Sequence, residues 1–195
     1  MNQVVSQRVT TRRKNSFNLF REASKLASFD EFPMLRPEVD PQLTLSSNSV
    51  DQPFFLICEK DSVIAQASGR AQVVFHEGPV RYFDLVPGDF VYIPGGTAHR
   101  ILTKEPGNQL RYKAREPGSE TVVWYCDSCS HEMDRHSWNA GEQSPQAGYA
   151  AACERHNGET VRRTCSHCGH THAAVDLGAF RWPAVAAALA QSEDE

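Results

Sequence analysis

Two C-x-x-C pairs, Cys126-Asp-Ser-Cys129 and Cys165-Ser-His-Cys168, constrain this chain more than any other feature. Two residues between thiolates let both sulfurs face one ion while the intervening backbone N–H groups turn toward them. Gly169 then supplies a backbone that takes positive φ at the turn. Two such knuckles complete a tetrahedral shell of four sulfurs, which suits Zn(II) or a single iron. A closed shell leaves no position for substrate, so its expected role is structural. A thioredoxin-like redox role would need a strand-to-helix context that neither pair has. Because four thiolates already satisfy an ion, the nearby His131, His136, His156, His167, His170 and His172 read as polar loop residues.

A chain of 195 residues with 40% hydrophobic content is long enough for one ordinary domain and a small appendage. Its net charge of -4 gives no general attraction to nucleic acid or to an anionic membrane surface. The basic run Arg12-Arg13-Lys14 reads as a solvated tail, and the closing Ser-Glu-Asp-Glu as a solvated end. No apolar run approaches the roughly 20 residues needed to cross a bilayer, and the amino terminus lacks an apolar signal core. The expected location is the cytoplasm, where closely paired cysteines are metal ligands rather than disulfides.

Along the chain, Phe17, Leu19, Phe20, Ala23 and Leu26 fit one face of a short helix, and prolines 33, 37, 41 and 53 punctuate an extended arm. Six short runs rich in β-branched and aromatic residues follow, between Phe54 and Ala114, separated by Gly, Pro and Asp turns. With no helical pattern between them, they predict an antiparallel sandwich or barrel. Composition shifts toward Cys, His, Ser and Gly near Cys126. Residues 134–158 read as a polar loop between the two halves of the metal site, and the alanine-rich stretch from Trp182 as a terminal helix. The expected units are a tail with a short helix (1–31), a barrel (32–122), a four-cysteine region (123–180) and a closing helix and tail (181–195).

The stretch Gly88-Asp-Phe-Val-Tyr-Ile-Pro94-Gly-Gly96-Thr-Ala-His99 matches the second cupin motif, G-x5-P-x-G-x2-H, at every fixed position. Its turn residues set a strand and then bend the chain so that His99 points inward. Together with Phe17-Asn18-Leu19, Trp124-Tyr125-Cys126 and Arg163-Thr164-Cys165, this order of parts resembles the bacterial 3-hydroxyanthranilate 3,4-dioxygenases from about residue 17 to 172. The resemblance implies a mostly β fold, a cupin double-stranded β-helix or jelly-roll barrel followed by a rubredoxin-like two-knuckle site. It also implies a homodimer, a small aromatic acid as ligand, and iron or zinc held by Cys126, Cys129, Cys165 and Cys168.

The family reaction uses Fe(II) held by two histidines and a carboxylate, with His99 in the place of the second histidine. The first cupin motif, counted back from Gly69, puts Ser62 in the carboxylate slot and Leu56 in the first histidine slot. Glu59, Asp61, Cys58 and His76 are the nearby groups that could stand in, and Arg100 and Arg111 could clamp a carboxylate. The missing ligands lead us to expect a divergent cupin that lacks the standard iron and binds a small aromatic or carboxylate ligand or a protein partner. The alternative is an active Fe(II)-dependent extradiol-type dioxygenase cleaving 3-hydroxyanthranilate or a related aminophenol. A nucleic-acid-binding zinc ribbon is disfavoured, since only Arg155, Arg162 and Arg163 offer it a basic surface.

Overall fold

The computed structural model describes residues 8–192. Their elements are α1 (Leu19–Ala23), β1 (Phe32–Pro33), β2 (Gln42–Asn48), β3 (Phe55–Cys58), β4 (Ser62–Gln66), β5 (Arg70–Phe75), β6 (Tyr82–Leu85) and β7 (Phe90–Ile93). There follow β8 (His99–Glu105), β9 (Gly107–Lys113), β10 (Ser119–Tyr125), β11 (Glu132–Asn139), α2 (Pro145–Gly158), α3 (Thr160–Arg163) and α4 (Trp182–Ser192).

The strands form two antiparallel sheets, β1-β2-β9-β4-β7 and β11-β10-β3-β8-β5-β6. Alternation along each strand turns one set of side chains into the space between the sheets, where Leu56, Ile64, Val73, Ile93, Ile101 and Val122 are buried. This is the two-sheet antiparallel β architecture that the turn spacing predicted. Pro87-Gly88-Asp89 makes the expected entry into β7, with Gly88 at φ +99° and the Asp89 carboxylate accepting from the Val86 N–H. The metal region is continuous with the barrel, because β10 pairs with β3 on one side and with β11 on the other before running into Cys126.

Residues 134–158 are not the loop expected from their polarity: they contain most of β11 and all of α2. The helix was hidden because its buried face mixes the small Gly148, Ala150, Ala152 and Cys153 with Gln146, Tyr149 and His156, so no aliphatic stripe marks it. Its start is conventional, with Pro145 in the first turn and the Ser144 hydroxyl accepting from the Ala147 N–H. His156, read as a loop residue, is fully buried and stacks on Trp124 with ring centroids 3.9 Å apart.

One segment is held in a conformation that its residues do not favour. Phe29 and Glu31 have φ of 53° and 42°, which costs roughly 1 kcal/mol each for side chains of this kind. Contacts from β2, α2, α4 and Arg181 just before α4 compensate. Asn48 accepts from the Phe29 N–H and Trp182 Nε1 donates to the Phe29 carbonyl. Gln146 Nε2 donates to the carbonyls of Asp30 and Glu31 at 2.7 and 2.9 Å, and Arg181 pairs with the buried Asp30 carboxylate. Together α2 and α4 therefore clamp the chain just before β1, and the clamp pushes Glu31 into the barrel.

Docking of α2 depends on a close approach, since a Cβ on Gly148 would lie 2.3 Å from the Trp138 ring. Gly148→Ala is expected to lower the denaturation midpoint by the equivalent of about 1–3 kcal/mol, the usual range for overpacking. A chemical denaturation series of wild type and variant checks this, and an unchanged midpoint would mean the helix does not sit against Trp138.

Candidate functional site

The four cysteines converge as their spacing predicted. Cys126 Sγ lies 3.5 Å from Cys168 Sγ and Cys129 Sγ lies 3.6 Å from Cys165 Sγ, close to the about 3.8 Å edge of a tetrahedron with about 2.3 Å metal–sulfur bonds. The knuckles are built alike. In each, the first cysteine's N–H donates five residues ahead, Cys126 to His131 and Cys165 to His170, and its carbonyl accepts from the residue four ahead, Ser130 or Gly169. Those fourth residues have φ of 59° and 75°, so Gly169 plays its expected part, whereas Ser130 takes the same conformation with a side chain. Backbone N–H groups of His131 and His170 point at the sulfurs of Cys129 and Cys168. The donor set fits a thiophilic ion, iron or zinc, and Cys126 and Cys165 are buried while Cys129 and Cys168 face solvent.

Inside the barrel the geometry is of another kind. His99 is fully buried at the start of β8, directly opposite Leu56 of β3, so the first histidine slot of the motif does adjoin His99 in space but holds a leucine. Ser62, in the carboxylate slot, pairs across the strands with Lys113 of β9. Glu59 and Asp61 turn outward, the one accepting from the Ser119 N–H and the other from Tyr92 and Gly95. His76 stacks on Tyr125 at 3.4 Å, outside the group around His99. Cys58 faces inward, and burial pushes its thiol up to about 11.

What surrounds His99 is an ion-pair cluster made by both sheets, α2 and the clamped segment. Arg111 Nη1 lies 2.9 Å from His99 Nε2, while His99 Nδ1 lies 3.1 Å from the Thr97 carbonyl. A guanidinium can only donate, so Nε2 accepts and Nδ1 carries the proton in a neutral ring. Burial, and then the Arg111 charge, push the imidazole down to about 3. Arg111 Nε also pairs with Glu31 at 3.0 Å, Lys113 reaches Glu31 at 3.5 Å and Glu120 at 2.8 Å, and the Tyr149 hydroxyl donates to Glu31 at 2.9 Å. Burial alone would raise the Glu31 carboxyl, but Arg111, Lys113 and Tyr149 hold it below the usual carboxylate range. Burial works likewise against the Lys113 ammonium, and Glu120 and Glu31 reverse it.

The residues present do not fit a cupin iron at His99. Its one lone pair faces a fixed cation, and among the described residues no trio of metal-binding side chains includes it. The two arginines singled out from the sequence are not brought together. Arg111 is 3% exposed within the cluster, whereas the neighbouring Arg100 points to the other face of β8 and donates to the Gln52 carbonyl. Sequence reasoning missed Glu31, Lys113, Glu120 and Tyr149, and only the Arg111-x-Lys113 alternation on a core strand could have signalled an inward pair of charges.

The cluster reaches a cleft of about 640 Å³ at one end of the barrel. Lys113, Glu120 and Gln146 form its floor, and Arg13, Arg115, Pro33 and Leu189 are among its walls. Glu120 Oε2 and Gln146 Oε1 are buried there with no hydrogen-bond partner among the described residues.

No protein-family model matches the chain. It is 27% identical over 120 residues to 3-hydroxyanthranilate 3,4-dioxygenases of Bacillus cereus and Bacillus thuringiensis, a match covering 60% of this chain and 66% of each relative. A hydroquinone 1,2-dioxygenase from Sphingomonas sp. TTNP3 aligns in structure over 49% of this chain and 71% of its own, at 14% identity and a TM-score of 0.42. A cupin-2 domain protein from Shewanella frigidimarina aligns over 50% and 93%, at 18% identity and a TM-score of 0.44. The chain thus resembles the 3-hydroxyanthranilate 3,4-dioxygenases in sequence over 60% of its length, and its two antiparallel sheets are followed by a four-cysteine group.

Protein dialysed against a chelator is expected to retain close to one iron or zinc per chain. Cys126→Ser or Cys168→Ser should remove it, and His99→Ala should not. Elemental analysis of the three variants checks this, and loss of tightly held metal in His99→Ala would contradict the assignment.

Proposed function

We propose that this chain is a divergent cupin related to the 3-hydroxyanthranilate 3,4-dioxygenases, in which an internal ion-pair cluster stands where those enzymes need iron. On this reading it acts as a binding protein for a small aromatic acid rather than as an oxygenase. The observation that carries the reading is the 2.9 Å contact between Arg111 Nη1 and His99 Nε2. A positively charged guanidinium on the only available lone pair competes with any ion for that nitrogen, and Lys113 adds a second fixed cation in the same space. The leucine and serine in the remaining ligand slots point the same way.

The cleft beside the cluster is the ligand site in this proposal. Lys113, Arg13 and Arg115 supply cationic groups for a carboxylate, and Pro33, Pro37 and Leu189 supply apolar surface for a ring. The unpartnered Glu120 Oε2 and Gln146 Oε1 would accept from an amino or hydroxyl substituent. The four-cysteine metal holds β10 and the second knuckle together and takes no part in binding. A homodimer belongs to the same proposal, supported by exposed Tyr82, Phe83, Phe90 and Tyr92 on β6 and β7, each an open sheet edge.

The second reading, an Fe(II)-dependent ring-opening dioxygenase, is favoured by the 27% identity to named dioxygenases. An oxygen electrode separates the two. With 3-hydroxyanthranilate, Fe(II) and O2, uptake is expected to stay at the protein-free background, while calorimetry shows 3-hydroxyanthranilate binding that weakens at least tenfold in Glu120→Gln. Rapid oxygen uptake abolished by His99→Ala would overturn the proposal.

A further inference from the structure

We infer that Asp127, His170 and His172 form a second divalent-metal site, distinct from the four sulfurs and assembled from both knuckles. Asp127 follows Cys126 in the first knuckle, and the two histidines follow Gly169 in the second. Between them, Thr171 forms an antiparallel bridge with Thr164, and their hydroxyl oxygens lie 3.0 Å apart. In extended backbone successive side chains alternate, so His170 and His172 share the face opposite Thr171. That face meets Asp127. The segment is fixed there by the His172 N–H donating to the Arg163 carbonyl at 2.8 Å and Arg163 Nη1 donating back to the His172 carbonyl at 2.9 Å.

The three donor atoms lie within 4.8 Å of one another. His172 Nε2 is 3.4 Å from Asp127 Oδ2, which is about the edge of a tetrahedron with metal–ligand bonds of about 2.0–2.1 Å. Nε2 also accepts a long hydrogen bond of 3.3 Å from the Asp127 N–H, a contact weak enough for an ion to replace. Two imidazoles and one carboxylate suit a borderline transition ion such as Zn(II), Co(II), Ni(II) or Fe(II), and leave further coordination positions open. Those positions face a cleft of about 380 Å³ whose walls include Phe55, Tyr125 and Arg100, with room for water or a small anion on the ion.

Because the ligands come from two knuckles, the site exists only while the four-cysteine metal holds them together. Its affinity is that of an open three-ligand site on the surface, so chelator dialysis empties it and leaves the sulfur-bound metal in place.

Tag-free protein with the four-cysteine site filled, dialysed against a chelator, is titrated with Co(II) and followed by calorimetry and visible absorption. One additional Co(II) per chain is expected, with weak d–d bands and no new thiolate charge-transfer band. Asp127→Ala and His170→Ala should each weaken binding at least tenfold with the original metal retained, and Thr171→Ala should leave it within twofold. Absence of the additional equivalent, its appearance with thiolate charge transfer, or its survival at unchanged affinity in both weakened variants would overturn the assignment.

Discussion

Glu31 sits between Arg111 and Lys113 with almost no solvent, and most of the molecule's arrangement serves to keep it there. Taking a carboxylate and two cations out of water is costly unless each charge is paired and its remaining lone pairs or protons are engaged. The barrel pairs the charges, with Glu31, Glu120, Arg111 and Lys113 as two anions and two cations joined by Tyr149 and His99, while Glu120 Oε2 and Arg111 Nη2 have no hydrogen-bond partner among the described residues. Breaking such a cluster by removing one member typically costs about 3–5 kcal/mol, since it leaves an uncompensated buried charge. The strained backbone at Phe29 and Glu31, the carbonyl contacts of Gln146 and the Arg181–Asp30 pair follow from it. Each one fixes the approach of a single side chain.

The same cluster separates what the fold offers from what the residues do. A cupin barrel can hold a catalytic ion, but chemistry resides in the side chains placed at the site. Here the second-motif histidine is inward and buried, and a leucine, a serine and a guanidinium stand around it. The four-cysteine site lies on a different footing, because its sulfurs keep the distances and N–H contacts that an ion demands.

Much of this was legible in the sequence, and the parts that were not share a physical reason. The knuckles, the turn before β7 and the inward direction of His99 follow from spacing, because turn geometry and ligand geometry are local. The helix at Pro145–Gly158 was hidden because its contact face mixes small residues with Gln146, Tyr149 and His156, so no aliphatic stripe marks it. The cluster was hidden because its members lie at positions 31, 99, 111, 113, 120 and 149, and only tertiary structure makes them neighbours. Asp127, His170 and His172 gave a weak signal at best, since histidines in a cysteine-rich loop are unremarkable until the chain's bridging pattern orients them.

The central claim is that Arg111, rather than an ion, occupies the lone pair of His99. Nitrogen-15 NMR of the His99 imidazole tests it most directly, recorded from pH 7 to 4 with and without added Fe(II) or Zn(II). The ring is neutral in the folded state with its pKa depressed toward 3, so folding stability is lost as pH falls below the unfolded value of about 6.5. The account predicts Nδ1 protonated and Nε2 as an acceptor throughout the folded range, with shifts unaffected by metal. A metal-dependent change at Nε2, or protonation of the ring near pH 6.5 in folded protein, would contradict it.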